Sequence, residues 1–130
     1  MEPVDAPAFP SDPAVPSGPS SHALGPLEIR PSEYQVLAHG RRVNLTVREF
    51  ELFWALAQRP DHVIRRAELY ERVWGGAMSP RDRSVDVFVR KLRRKLALAS
   101  PGWRYVHTHF GIGYRFAPEP VAPAPRVDMP

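Results

Sequence analysis

Asp82-Arg83-Ser84-Val85-Asp86-Val87-Phe88-Val89-Arg90-Lys91-Leu92-Arg93-Arg94-Lys95-Leu96-Ala97-Leu98 decides the fold. Val85, Val89, Leu92 and Leu96 recur at the period of one helix face, so this stretch is a helix that buries that face in a core. Another face carries Arg83, Val87, Arg90 with Lys91, and Arg94. Between Arg81 and Lys95 there are seven basic residues and two acids. The major groove of B-DNA admits one α-helix, and a helix offered to it needs an apolar side for its own domain and a basic or polar side for the duplex. A charged face is also what any solvated amphipathic helix shows, so the flanking elements have to decide.

Upstream, Thr46-Val47-Arg48-Glu49 is a capping box, in which a hydroxyl and a carboxylate satisfy free amides at a helix start. Val47, Phe50, Phe53, Trp54 and Ala57 keep helical spacing behind it, and Pro60 ends the run. A shorter helix fits Arg66 to Trp74, with Leu69, Tyr70 and Val73 on one side and Gly75-Gly76 as its stop. Downstream, Trp103 to His109 and Tyr114 to Phe116 read as strands joined through Phe110-Gly111-Ile112-Gly113 into a hairpin. Short helix, basic helix and glycine-turned hairpin is the order of a recognition helix and its wing. Before them, Leu27-Glu28-Ile29, Tyr34-Gln35-Val36-Leu37 and, after a turn at His39-Gly40, Val43-Asn44-Leu45 predict a small antiparallel sheet.

The ends differ in composition. Met1 to Pro26 contains seven prolines and three acids but no Lys or Arg, and from Ala117 onward five of fourteen residues are proline. Such segments favour solvated, extended backbone. The expectation is a disordered arm over 1–26, a folded domain over 27–117 and a disordered tail over 118–130. Leu27 to Phe116 carries 17 basic residues against 9 acidic ones, the footprint of a polyanion partner. The absence of cysteine excludes disulfides, thiolate metal sites and cysteine nucleophiles. No apolar run is long enough to span a bilayer and the start lacks a signal-peptide pattern, so a cytoplasmic location is expected.

Five tracts together resemble one family: Leu45-Thr46 with Glu49-Phe50, Val73-Trp74-Gly75, Arg83-Ser84-Val85-Asp86-Val87, Lys91-Leu92-Arg93-Arg94-Lys95-Leu96, and Gly111-Ile112-Gly113-Tyr114-Arg115-Phe116. They are similar, in order and near-family spacing over Leu27 to Phe116, to the effector domain of OmpR/PhoB-type response regulators. The resemblance implies an α+β winged helix-turn-helix: a four-stranded N-terminal sheet, three helices and a C-terminal hairpin wing, acting as a bacterial transcription regulator on double-stranded DNA. It further implies that Arg83, Ser84, Arg90, Lys91 and Arg93 contact phosphates or base edges and that Val87 touches a thymine methyl. Arg94 belongs to the same face, and Trp74, Thr108 and Tyr114 would hold the DNA backbone. The loop Gly76, Ala77, Met78, Ser79 would touch RNA polymerase, and two domains would bind in tandem. Two positions depart from the family pattern. His109 and Phe110 stand where an aliphatic residue and an arginine are frequent, and Phe88 stands where a polar residue is common; both phenylalanines are expected DNA contacts, Phe110 at the minor groove and Phe88 on a base methyl, with simple packing the alternative for each. The family's phosphoacceptor domain has no counterpart in the 130 residues. Two origins stay open: an effector domain still carrying its linker, or a regulator that works without phosphorylation.

Other chemistry is weaker. His107 and His109 share a strand face but lack a third metal ligand nearby, and Gly111-x-Gly113 lacks the third glycine and the βαβ context of a dinucleotide site. Asp82 and Asp86, one helical turn apart in a basic helix, fit ion pairs with Arg83 or Arg90 better than catalysis. The expectation is therefore no enzyme, no cofactor and no metal. The alternative from a different class is a winged-helix protein-interaction module acting on the transcription machinery, its Pro-rich arm binding in polyproline form.

Overall fold

Alternation of apolar and polar residues builds the first sheet. The computed structural model describes residues 22–121. They begin with β1 (His22–Leu24), β2 (Leu27–Arg30), a 3-10 turn at Pro31–Glu33, β3 (Gln35–Ala38) and β4 (Arg41–Arg42), antiparallel in chain order. Leu27 pairs with Ala38 and Ile29 with Val36, and these four point into the core.

Three differences from expectation lie here. His22–Leu24 falls in the segment expected to be disordered, yet it pairs along β2 and packs Leu24 against the core. The remainder of that arm lies outside the described residues. Tyr34, expected to open a strand, has φ 54° and instead closes the 3-10 turn by donating its N–H to Pro31 O (3.1 Å). The strand expected at Val43-Asn44-Leu45 is replaced by Arg41–Arg42. Val43 still donates to Val36 O (2.8 Å), but Leu45 donates back to Val43 O (3.0 Å), a γ-type bend that swings the chain toward the next helix.

That helix, α1 (Val47–Ala57), starts at the expected box: Thr46 N–H donates to Glu49 Oε1 (2.8 Å), and Glu49 N–H donates to Thr46 Oγ1 (3.2 Å). Phe50, Leu52, Phe53 and Leu56 are buried, whereas Val47 is exposed. Glu49, 3% exposed, also accepts from Lys95 Nζ (2.6 Å), which ties α1 to the third helix. Burial would raise the Glu49 pKa, but the bonds from Lys95 and Thr46 outweigh it and hold the carboxyl below its ordinary value of 4.5. A depressed carboxylate contributes stability above that value and loses it as pH falls through the lower folded-state value. Lys95→Met is therefore expected to lower the melting temperature at about pH 7, with the gap to the parent closing toward about pH 3. A gap that stays constant on acidification would show that the pair adds no charge-dependent stability.

After α1 comes β5 (Val63–Arg65), a strand not expected from the sequence. Three residues carry no periodicity of their own, and this strand exists because it pairs with the wing. α2 (Arg66–Val73) follows, one residue shorter than expected, and Gly75 and Gly76 after it have φ 81° and 78°, left-handed values that suit glycine. α3 runs from Ser84 to Ala99. It opens two residues after the expected start because Asp82 accepts the Ser84 N–H (2.8 Å) and so finishes the loop. Val85, Val89, Leu92 and Leu96 are each at most 2% exposed, as the period requires.

β6 (Trp103–His109) and β7 (Gly113–Pro120) form the hairpin, and the second sheet runs β5-β7-β6. A Cβ at Gly113 would sit 2.0 Å from Ile64 O, so only glycine lets β5 and β7 pair. β7 continues past the expected domain end at residue 117. β5 covers only Gly113–Arg115 of it, so beyond Phe116 one side needs no ladder partner and Pro118 and Pro120 are tolerated. The later tail residues lie outside the described ones. Phe53 meets Phe116 edge-on (5.4 Å) where helices and second sheet join. Three helices, an N-terminal antiparallel sheet and a hairpin after the third helix make this the expected α+β winged helix-turn-helix. No helix among the described residues is long and apolar enough to cross a membrane.

Candidate nucleic-acid interface

With its apolar stripe in the core, α3 must turn its remaining sides outward. Arg83, Arg90 and Arg94 are exposed on the side opposite the stripe with Val87 (42% exposed), and Lys91 is exposed beside them. These five expected site residues form one open cationic face around a single aliphatic side chain. Arg83 lies 3.6 Å from Asp86 with three quarters of its side chain exposed. Ser84 is half-buried at the helix start.

The two flanks of α3 are packed. On one, Trp74 stacks on Tyr70 (5.4 Å) and takes the edge of Phe88 (5.3 Å), while Lys91 Nζ lies over the Phe88 ring (4.8 Å). The departure at Phe88 is thus a packing contact that supports Lys91. Arg48, which no sequence pattern singled out, covers Trp74 (5.4 Å) and donates to Val73 O (2.5 Å), closing the α2 C-terminus. On the other flank, Arg93 donates to Val106 O (3.1 Å) and to Thr108 Oγ1, and its guanidinium lies over the Tyr114 ring (5.6 Å). Burial pulls the Arg93 pKa down from its ordinary value. Tyr114 is 7% exposed, and its hydroxyl donates to Asp86 Oδ1 (2.5 Å). Burial, reinforced by that bond, pushes its pKa up to about 12. Arg93, Thr108 and Tyr114, expected to hold the DNA backbone or its bases, therefore form an internal strut between α3 and the wing. Asp86 pairs with Arg66 Nη2 (2.9 Å) and Arg83, rather than with the alternative partner Arg90.

At the wing tip Phe110 is 91% exposed and Ile112 53%. Arg115 points back: its Nε donates to His109 Nε2 (3.1 Å) and its Nη1 lies 3.3 Å from Asp61 Oδ1. His107 Nε2 bonds to Ala117 O (2.8 Å), so the two histidines serve the hairpin. In the loop before α3, Gly76, Ala77 and Ser79 are exposed, while Met78 is partly buried against the core. Among the described residues no group of three or more His, Cys, Asp or Glu could hold a metal ion.

A buried-stripe helix with an open cationic face, preceded by a shorter helix and followed by a two-stranded wing, defines a winged-helix domain. Residues 40–116 match the family described as transcriptional regulatory protein, C terminal, and the chain belongs to that family. It is similar to the RstA DNA-binding domain of Klebsiella pneumoniae, solved in complex with RstA box, with a TM-score of 0.69 and 33% identity over 76% of this chain and 98% of that one. It is also similar to the response regulator DrrB of Thermotoga maritima, an OmpR/PhoB homolog, with a TM-score of 0.63 and 31% identity over 75% of this chain and 44% of that one. It is 42% identical to the transcriptional regulatory protein PrrA of Mycobacterium leprae over 71% of this chain and 39% of that protein. The chain spans 36–39% of the length of the first curated relatives it matches.

Proposed function

We propose that the chain binds double-stranded DNA sequence-specifically as the DNA-reading part of a cytoplasmic transcription regulator, with α3 in the major groove and the wing at the adjacent minor groove. The observation that carries this reading is the division of α3 into a stripe at most 2% exposed and an opposite face of open cations. Arg83, Arg90, Lys91 and Arg94 reach phosphates or base edges, and Val87 meets a thymine methyl. Ser84 and Trp74 sit where the helix start and the loop approach the backbone. Arg93, Thr108 and Tyr114 act from behind, holding the wing at a set angle. Gly76, Ala77 and Ser79 are the part of the loop open to RNA polymerase, and no enzymatic step is assigned. Selection of bound duplexes from random DNA tests the reading. Selected sites are expected to carry two direct half-sites about 10 to 10.5 bp apart, because two domains must present α3 to one side of the duplex. Isolated half-sites would remove the tandem mode, and no enrichment at all would favour the protein-interaction alternative.

Phe110 makes the wing a separate test. With no cation at the tip, its contact is apolar, of the kind minor-groove proteins make with wedging side chains. Phe110→Ala is expected to weaken binding by about 1 kcal/mol or more, outside the range of about 0.5 kcal/mol for an inert surface change. Phe110→Arg should restore affinity with preference for A-tracts, whose narrow minor groove is more negative. Affinities on an A-tract site and a G·C-substituted site decide it. An arginine variant with no A-tract gain would mean that the wing does not reach the groove.

A further inference from the structure

The only carboxylate within α3, Asp86, is where three elements meet. Its Oδ2 receives Arg66 Nη2 from the start of α2 (2.9 Å) and lies 3.6 Å from Arg83 Nη1, while its Oδ1 receives the Tyr114 hydroxyl from β7 (2.5 Å). Its side chain is 26% exposed, half turned from solvent but close to the cationic face. A carboxylate there opposes a polyanion at any sequence, so for simple attraction to DNA a neutral residue would serve better. What the carboxylate supplies is geometry. Both oxygens are taken up by donors from different elements, Arg66 of α2 and Tyr114 of β7, which ties α3 to α2 and to the wing, and the carboxylate stands beside the exposed Arg83. The Tyr114 hydroxyl, its pKa about 12, stays protonated and available as a donor throughout the physiological range.

We propose that Asp86 is a positioning residue for duplex recognition, aligning Arg83 and the wing with α3 so that total affinity is given up for sequence discrimination. The inference rests on the DNA-binding reading above. It predicts effects of opposite sign. Loss of the charge strengthens binding to an arbitrary duplex, while loss of the alignment weakens discrimination. A residue that only supported folding would lower both affinities together.

The test compares the 130-residue chain with Asp86→Ala, Asp86→Asn and Tyr114→Phe on a selected duplex and on a scrambled duplex of equal length, at one salt concentration, beside thermal melts. Asp86→Ala should reduce the selected-to-scrambled affinity ratio by about tenfold, the scale of one good base contact, with scrambled binding equal or tighter. Asp86→Asn, which keeps an acceptor for Tyr114, should recover part of the ratio. Tyr114→Phe should lower the ratio with no change of charge, which guards against Asp86→Ala simply folding badly. A ratio unchanged in Asp86→Ala and Tyr114→Phe, or a parallel fall of both affinities, overturns the proposal while leaving DNA binding intact. A parent chain that does not discriminate at all overturns the functional reading, and this inference with it.

Discussion

Raising salt from about 50 to about 200 mM is expected to weaken binding of the chain to its selected duplex by about 10²-fold. Arg83, Arg90, Lys91 and Arg94 are exposed and offer about four charged phosphate contacts. Each phosphate neutralised by a cation releases condensed counterions and adds a slope near −0.9, so the log-log slope is roughly −4. Arg93 should contribute little to that slope, because its guanidinium is already engaged by Val106 and Thr108. Arg93→Gln is thus expected to keep the slope, whereas Arg90→Gln should reduce it by about one contact. The measurement is affinity by fluorescence anisotropy across a salt series. A slope near zero would point to an apolar protein contact and sink the DNA reading.

Leu92→Ala is expected to destabilise the domain by about 2 to 5 kcal/mol, whereas its neighbour Lys91→Ala should leave the melt nearly unchanged and weaken DNA binding. Leu92 has no exposed surface and sits in the middle of the stripe between α1 and the second sheet. Truncation removes packed methyl groups and leaves a cavity that rigid neighbours cannot fill. Lys91 is exposed, and its ammonium lies over Phe88, so its loss removes charge and one cation–π contact at the surface. Arg83→Ala should behave like Lys91→Ala, because its guanidinium is mostly in solvent. Thermal melts beside binding curves separate the two classes. Equal loss of stability in all three variants would mean that α3 faces the other way.

Much of this was legible in order along the chain. The period of Val85, Val89, Leu92 and Leu96 places the α3 stripe, the Thr46–Glu49 box places the α1 start, and the glycines after Trp74 and Phe110 place the stops. These are local signals, set by helix period, cap chemistry and backbone freedom within a few residues. Composition misplaced the edges for the same reason. Proline-rich flanks read as disordered, yet His22–Leu24 and the end of β7 are drawn into sheets by partners the local window does not contain.

The sequence by itself determined which helix carries charge, which of its sides enters the core, and that the wing tip lacks a cation, since each follows from residue type at helical or hairpin spacing. Only the tertiary structure decided which cations are free. Arg93 and Arg94 are adjacent and chemically identical, but β6 offers Val106 O and Thr108 to one of them and solvent to the other. Arg66 and Tyr114 reach Asp86 from 20 and 28 residues away along the chain, and β5 becomes a strand only beside β7, because long-range pairings depend on where the packed core places each element. Side-chain period is a property of the chain, whereas the competition between a neighbour and solvent for a guanidinium is settled by the fold.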